Sequence, residues 1–276
     1  MAILGSCSYS QDVRQVAGLS LKTSLQRQQV LQQQQLQQLL PPLLQALQEE
    51  ARDLRAAAGS AVTALVCCQQ LPQQQLQELL QQLLLLLDAP RFDVAEGALN
   101  TLSKIAEDML QGVRLQQLEQ QQLQHPEQLI VFIHWTQQQL LPRLLLEANP
   151  SAAASTCIHT PEQQQILQQQ AVYTLNLFSA AQGFSEGAPF FSLFPEYWGV
   201  LGSLAAASNP KTQRAVIQGI LQTLETRAAP VLEAAGPLTE FFLHCGGAAD
   251  YQLKQDALEF WPVIQENLLL ICAGAD

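Results

Sequence analysis

The residues that could carry out chemistry in this chain are few and widely separated. Its four histidines lie at positions 125, 134, 159 and 244, and the chain contains neither an HExxH pair nor a glycine-rich phosphate loop. His244 and Cys245 are adjacent, but neighbouring side chains on a helix diverge, so they cannot form the hydrogen-bonded pair that a thiol nucleophile needs. The sequence therefore predicts that the chain is not an enzyme and uses no metal or cofactor.

The paired carboxylates and the cysteines are likewise interpreted as structural rather than reactive groups. Glu49-Glu50 and Glu107-Asp108 could serve acid–base catalysis only in a dry cleft that shifts one pKa. No other residues predict such a cleft, so we interpret both pairs as solvated acidic edges. The six cysteines include no CxxC pair, which favours buried thiols in a reducing compartment.

Charge and hydrophobicity exclude two broad classes of function. The net charge is −11 and the isoelectric point is near 4.7, whereas nucleic-acid binding needs clustered lysine and arginine. Such a charge favours basic partners instead. No apolar run approaches the ~20 residues that span a bilayer, and residues 1–10 lack the basic start of a signal peptide. We therefore expect a soluble, intracellular monomer that binds neither nucleic acid nor membrane.

A recurring helical phrase organises the chain. A small residue marks the phrase six times, at intervals of 41, 39, 73, 44 and 42 residues: Gly18, Gly59, Ala98, Ala171, Ala215 and Ala257. Four intervals are close to the about 40–47 residues of HEAT-type repeats, and the fifth contains a glutamine-rich excursion. The pattern predicts an all-α fold, a HEAT-repeat α-solenoid in which each helix pair contacts its neighbours.

Apolar spacing divides the chain into repeats. Residues 1–10 are weakly patterned, 11–110 hold half a repeat and two pairs, 111–128 form a glutamine-rich insertion, and 129–276 hold three pairs with a loop at 148–161. The helices are predicted at 11–27, 36–47, 53–69, 73–87, 92–110, 129–147, 162–182, 190–206, 210–227, 230–245 and 251–271. Because the first helix lacks a partner, we expect an interior segment of a longer solenoid, incomplete at both ends.

A polar pair recurs where the second helix of a pair begins. It reads Asp12-x-Arg14, Asp53-x-Arg55 and Asn209-x-Lys211. The acid or asparagine can cap its helix, with Asp53 a candidate N-cap. The basic side chain can reach an acid of the neighbouring repeat, which would build a ladder along the stack. Contact with a partner protein is the alternative.

Several local features leave two interpretations open. The aromatic residues at 190, 191, 194, 197 and 198 trace one helix face, which is either core or a groove for apolar peptide segments. Val13, Val16, Leu19, Leu21 and Leu25 predict a broad apolar side on the first helix. Pro41-Pro42 should bend or restart their helix. We interpret Gly183, Gly187, Gly199 and Gly202 as turn and helix-packing residues.

Several phrases resemble the β-karyopherins of the importin-β superfamily, and most closely the transportin (karyopherin-β2) branch. Residues 83–110, LLLLLDAPRFDVAEGALNTLSKIAEDML, are similar to a third-repeat phrase of that branch. Residues 14–22, RQVAGLSLK, resemble its R…GL.LK phrase, and ALEFW at 257–261 is similar to its ACEFW phrase. Residues 140–144 and 171–178 add support.

The resemblance implies a segment from the N-terminal half of a nuclear import receptor that shuttles between cytoplasm and nucleus. Second helices would line a concave face that binds the small GTPase Ran with GTP, through Arg14, Lys22, Arg55 and Glu96. First helices would offer convex pockets to nucleoporin repeats, and basic nuclear-localisation cargo would bind mainly outside this chain. The alternative is a HEAT-repeat scaffold subunit that organises another complex, such as a phosphatase.

Overall fold

The protein is helical throughout the part that the structure describes. This computed structural model describes Leu4 and residues 8–27, 33–69, 71–111, 126–150, 158–207 and 209–273, among which no strand occurs. The helices are α1 Gln11–Arg27, α2 Gln33–Ala46, α3 Arg52–Cys68, α4 Gln73–Leu87, α5 Phe92–Leu110, α6 Pro126–Trp135, α7 Leu141–Ala148, α8 Pro161–Ala180, α9 Phe194–Ala205, α10 Pro210–Thr226, α11 Ala228–Glu233, α12 Ala235–Gly246, α13 Tyr251–Leu258 and α14 Phe260–Ala273. The predicted all-α class is confirmed, while most of the insertion at 111–128 and of the loop at 148–161 lies outside the described residues.

The chain divides into two compact units. The first holds α1 to α6, a π-helical turn at Thr136–Leu140 and the start of α8. The second holds α7, the remainder of α8, a 3-10 turn at Phe191–Leu193 and α9 to α14.

The first unit is built from helix pairs whose second members stack on one another. The second helices α1, α3 and α5 pack in series, while the first helices α2 and α4 pack on α3 and α5 respectively. The leucines of α4 repeat at helical spacing and bury one face at Leu76, Leu80 and Leu83. This apolar stripe faces the second helix and forms the core between the two layers.

The second unit repeats this arrangement with more aromatic side chains. Helix α9 packs on α10, α12 packs on α13, and α10 in turn contacts α13 and α14. Buried Phe190, Tyr197, Phe242 and Phe260 form much of its interior.

The small residues of the recurring phrase are all buried. Ala98, Ala171 and Ala257 have no exposed surface, and Gly18, Gly59 and Ala215 are also buried. A Cβ built on Gly59 would lie only 2.5 Å from Thr101 Oγ1, and one on Gly18 would lie 3.0 Å from Ala57 Cβ. The two glycines therefore lie where α1 approaches α3 and where α3 approaches α5.

The predicted apolar side of α1 is confirmed at Leu25, which is buried, and is wrong at Val13, Val16 and Leu19. Val13, Val16 and Leu19 are 45%, 61% and 46% exposed, whereas Arg14 and Gly18 are buried. The helix turns its small-residue face toward α3, because only that face permits close backbone approach. Val13, Val16 and Leu19 consequently point away from the unit, whereas Leu25 packs inside it.

Prolines determine helix breaks that the periodicity did not predict. The single helices expected at 230–245 and 251–271 are each divided, before Pro237 and before Pro262. A proline has no N–H for the carbonyl four residues earlier and its ring clashes with that carbonyl. Those carbonyls belong to Glu233 and Leu258, the last residues of α11 and α13.

The same effect occurs twice more, with one exception. Pro230 is the third residue of α11 and follows the end of α10, and Pro142 follows the π-helical turn Thr136–Leu140. Pro41 and Pro42 behave differently, since α2 continues through both. The predicted restart of that helix is therefore wrong.

The helix starts confirm one predicted cap and correct another. Asn209 Oδ1 accepts hydrogen bonds from the backbone N–H groups of Lys211 at 2.8 Å and Thr212 at 3.3 Å, as an N-cap does. Asp53 is not a cap, because α3 begins at Arg52 and its N-cap is Ala51. Asp53 lies instead in the first turn, where a carboxylate favours the positive end of the helix dipole.

Helix α8 ends in a Schellman turn with an unusual residue in the left-handed position. The N–H of Gly183 bonds to Phe178 O at 2.8 Å, and the N–H of Gln182 bonds to Ser179 O at 2.9 Å. Gln182 has a φ of 61°, a conformation that glycine usually supplies at this position.

Replacing Gln182 with glycine is therefore expected to stabilise the protein. The left-handed conformation costs a residue with a Cβ about 1–2 kcal/mol, part of which the greater freedom of glycine in the unfolded chain offsets. Urea denaturation should show a net gain of about 0.5–1 kcal/mol for Gln182→Gly and a loss for Gln182→Val. Equal stabilities of the two variants would contradict this account of the turn.

Candidate protein-binding groove

A buried arginine fastens the turn between α2 and α3 to the next helix pair. Arg55 is 6% exposed, and its Nη1 donates to Glu49 O at 2.9 Å and Glu50 O at 2.6 Å. The same atom lies 3.1 Å from Asp93 Oδ2 on α5. The guanidinium therefore satisfies carbonyls that follow the end of α2, where no helical N–H remains for them.

Similar links join other neighbouring helices. Buried Arg14 donates from Nε to Leu4 O at 2.9 Å and pairs with the carboxylate of Glu49. In the second unit, Arg214 Nε lies 2.6 Å from Asp256 Oδ2. The predicted ladder is confirmed at Arg14 and Arg55, but Lys211 is exposed and Arg214 makes the link in its place.

Asp93 receives two arginines and stays ionised. Arg91 Nη2 donates to Asp93 Oδ2 at 2.5 Å, and Arg91 Nη1 donates to Gln48 O at 3.0 Å. The hydrogen bond from Arg91, and the nearby Arg55 guanidinium, hold the pKa of Asp93 below its usual range. The start of α5 is thus fixed against the preceding turn.

Beside the ion pair between Arg55 and Asp93, a polar groove of about 220 Å³ runs between α3 and α5. Small residues form its floor, including Gly59 and Gly97, and a Cβ built on Gly97 would lie 3.5 Å from Arg55 Cδ. Four side chains line the rim of what we call the α3–α5 groove: Arg52, Glu96, Asn100 and Lys104.

The rim side chains are available to a partner. Arg52 and Lys104 are exposed, and Glu96 and Asn100 are half-buried. Within the described ranges, Arg52, Glu96 and Asn100 make no side-chain hydrogen bond or ion pair. A ligand in the groove can therefore meet charges of both signs.

The structure separates the four predicted contact residues. Arg55 and Glu96 both line the α3–α5 groove. Arg14 lines a different cavity of about 720 Å³, together with Glu49, Glu50 and Arg91. Lys22 lies on α1, where its charge acts on Asp108: desolvation raises the pKa of this carboxyl, and Lys22 opposes that rise.

Sequence reasoning missed three groove residues. Arg52 precedes Arg55 by three positions, and Asn100 and Lys104 follow Glu96 at intervals of four on α5. Such spacing places side chains on one helix face, so it could have extended the set from Arg55 and Glu96.

Among the described residues, His244 and Cys245 do not form a catalytic pair. His244 is exposed whereas Cys245 is buried, so the two side chains diverge as predicted. Burial raises the pKa of the half-buried Cys67 and Cys68 thiols, with Asp108 adding to the effect, which weakens them as nucleophiles. No three His, Cys, Asp or Glu side chains of the described segments converge as a metal site requires.

The aromatic residues of the second unit mainly form its core. Phe184 stacks on Tyr197 with ring centroids 4.8 Å apart, and buried Tyr197 donates its hydroxyl to Asn176 Oδ1 at 2.9 Å. Burial raises the pKa of Tyr197, so the hydroxyl keeps its proton. The guanidinium of Arg227 covers Phe194 at 4.4 Å, which favours the core interpretation over a peptide groove.

Two of the glycines interpreted as packing residues do not pack. A Cβ on Gly199 or Gly202 would meet nothing within 4 Å, so the helix-packing interpretation is wrong for both. Gly187 has a φ of 79° and is a turn residue, as predicted.

Comparisons with known proteins define the class of fold. The chain is similar to importin β, with a TM-score of 0.69 and 14% identity over 96% of this chain. It is also similar to an engineered protein (TM-score 0.52, 14% identity) and to a designed armadillo repeat protein in complex with the peptide (KR)4 (TM-score 0.50, 16% identity). The match to the engineered protein covers 96% of this chain and 97% of that chain. The match to the designed armadillo repeat protein covers 95% of this chain and 96% of that chain. The fold is therefore a HEAT- or armadillo-type α-solenoid, as predicted.

The similarity to these solved structures, at 14–16% identity, is one of fold. This chain spans 29% of the importin β chain that it matches. No protein-family model and no curated protein matches the sequence. None of the helices in the described part is long and apolar enough to cross a membrane.

Proposed function

We propose that this chain is a protein-binding segment of a transportin-like nuclear import receptor. The observation that carries the proposal is the α3–α5 groove, because its rim charges Arg52, Glu96 and Lys104 form no ion pair among the described residues. The karyopherin-like HEAT fold supports it, as do the phrases at residues 83–110 and 257–261. In this proposal the chain is not an enzyme and shuttles between cytoplasm and nucleus.

Each layer of helices has a role in this proposal. The second helices contact a Ran-type GTPase through Lys22 and the α3–α5 groove, while the first helices contact nucleoporin repeats. Arg14 and Arg55 act indirectly, because their side chains are buried in links that hold α3 and α5. The net charge of −11 favours basic cargo and the basic surfaces of partner proteins.

Direct binding of Ran tests the proposal. Biolayer interferometry with Ran locked in its GTP form should show at least tenfold tighter binding than with the GDP form. Lys22→Glu, Glu96→Lys and Lys104→Glu should each weaken binding at least tenfold, because reversing an interface charge replaces attraction with repulsion. The control Lys254→Glu reverses an exposed charge on α13 and should leave affinity unchanged.

These measurements also distinguish the receptor proposal from the scaffold alternative. Equal affinity for the two nucleotide forms would overturn the receptor proposal and favour a scaffold subunit of another complex. An equal effect of Lys254→Glu would show that overall charge, rather than the α3–α5 groove, determines binding.

A further inference from the structure

A second cavity lies in the second unit, where two helices end and two begin. Its volume is about 440 Å³, within the range of about 300–1,000 Å³ typical of ligand pockets. Alanines at 205–207, at the end of α9, and at 248–249, after α12, form much of its wall. Pro210 and Leu253 add apolar surface from α10 and α13.

One polar group in this cavity has no partner. Gln213 is only 6% exposed and lines the cavity. Its side-chain amide makes no hydrogen bond with any part of the chain that the structure describes. Neither amide atom is fully enclosed by the chain, so the amide is accessible from the cavity and can hydrogen-bond to a ligand there.

The electrostatics of the cavity favour a cation. Asp250 lines it, and its Oδ1 accepts from Leu253 N at 2.8 Å, which leaves Oδ2 without a hydrogen bond among the described residues. The carbonyl ends of α9 and α12 and the N–H ends of α10 and α13 all lie at the cavity, so their partial charges offset one another and the carboxylate of Asp250 determines the sign of the charge. No lysine or arginine is among the lining residues that the structure describes.

We propose that this cavity binds an arginine side chain of a basic segment on a partner protein. The guanidinium pairs with Asp250 and donates to Gln213 Oε1, while its methylene groups pack on the alanine walls. Arginine fits better than lysine because its planar fork presents several donors in fixed directions. Residues 171–273 carry nine acidic and four basic side chains, which attracts a basic segment toward the cavity.

Peptide binding tests this site independently of Ran. The probe is a fluorescein-labelled eight-residue peptide of alternating lysine and arginine, followed by fluorescence anisotropy. Asp250→Asn removes the charge but keeps a residue that can cap α13, and it should weaken binding at least tenfold. Gln213→Leu should weaken it at least threefold, and a peptide of eight lysines should bind at least fivefold more weakly than the probe.

The control is Glu240→Gln, which removes an exposed carboxylate from α12 in the same unit and should leave affinity unchanged. Equal weakening in this control would overturn the cavity as the site and indicate diffuse attraction by an acidic protein. Unchanged affinity in Asp250→Asn would overturn the proposal outright, and equal affinity for the lysine peptide would overturn the choice of arginine. Circular dichroism of each variant checks folding, and the Asp250→Asn result decides if Gln213→Leu unfolds.

Discussion

Replacing Arg55 with methionine is expected to lower the free energy of unfolding by about 3 kcal/mol. The substitution keeps much of the aliphatic stem but removes the donors to Glu49 O and Glu50 O and the charge beside Asp93. The carbonyls of Glu49 and Glu50 would be left without these hydrogen bonds. Leaving such a group without its partner costs more free energy than an intramolecular hydrogen bond contributes on average to stability. Asp93 keeps Arg91 as a partner, which limits the loss.

Arg52→Met is the matched control for this prediction. Arg52 lies three residues earlier on α3, is exposed and has no side-chain bond within the described ranges. Its replacement should change stability by no more than about 0.5 kcal/mol in urea denaturation followed by circular dichroism. If both variants lost the same stability, the link from Arg55 to the preceding turn would not be what holds α3 in place.

Gly219→Ala should destabilise the second unit by about 2 kcal/mol. A Cβ on Gly219 would lie 2.8 Å from both Asn176 Oδ1 and Tyr197 Oη, and 3.0 Å from Leu201 Cδ1. These atoms cannot move aside easily, because Tyr197 donates to Asn176, whose Nδ2 donates to Ala215 O at 2.8 Å. This steric cost should exceed the ~1 kcal/mol by which alanine favours a helix over glycine.

Gly199→Ala should have the opposite effect in the same assay. Gly199 lies within α9 and has open space where its Cβ would be, so alanine should add about 0.5–1 kcal/mol through helix propensity alone. In a Tyr197→Phe background, the loss from Gly219→Ala should become smaller, because one obstructing oxygen is gone. Stabilisation by both glycine substitutions would contradict the crowding described around Gly219.

Local pattern was sufficient to predict most of the helices, and its failures have physical causes. The apolar period gave α3, α4 and α5 to within one or two residues, because each of these helices carries its own buried apolar side chains. It also gave the bounds of α1, although Val13, Val16 and Leu19 of that helix are exposed. The period did not predict the breaks before Pro237 and Pro262, since apolar spacing continues across both. The rule that a proline has no N–H for a helical hydrogen bond would have predicted both breaks. The same rule fails for α2, which continues through Pro41 and Pro42.

The groove was only half predictable from the sequence. Arg55 and Glu96 were expected to lie at the binding face, yet Arg55 is buried in part by Asp93, which lies 38 residues later on α5. Burial of a charged residue by distant segments has no local signature. The same limit explains why Lys211 was expected to make the link that Arg214 makes: the choice depends on which side chain reaches Asp256.

The arginine links also determine how this protein could be divided. Arg14 belongs to one helix pair and Glu49 to the next, and Arg55 is joined in the same way to Asp93. A segment cut at the boundary of a helix pair would carry half of each link and leave a charged group without its counterpart. The smallest piece that could be grafted into another solenoid is therefore a second helix together with the turn and helix start that receive its arginine.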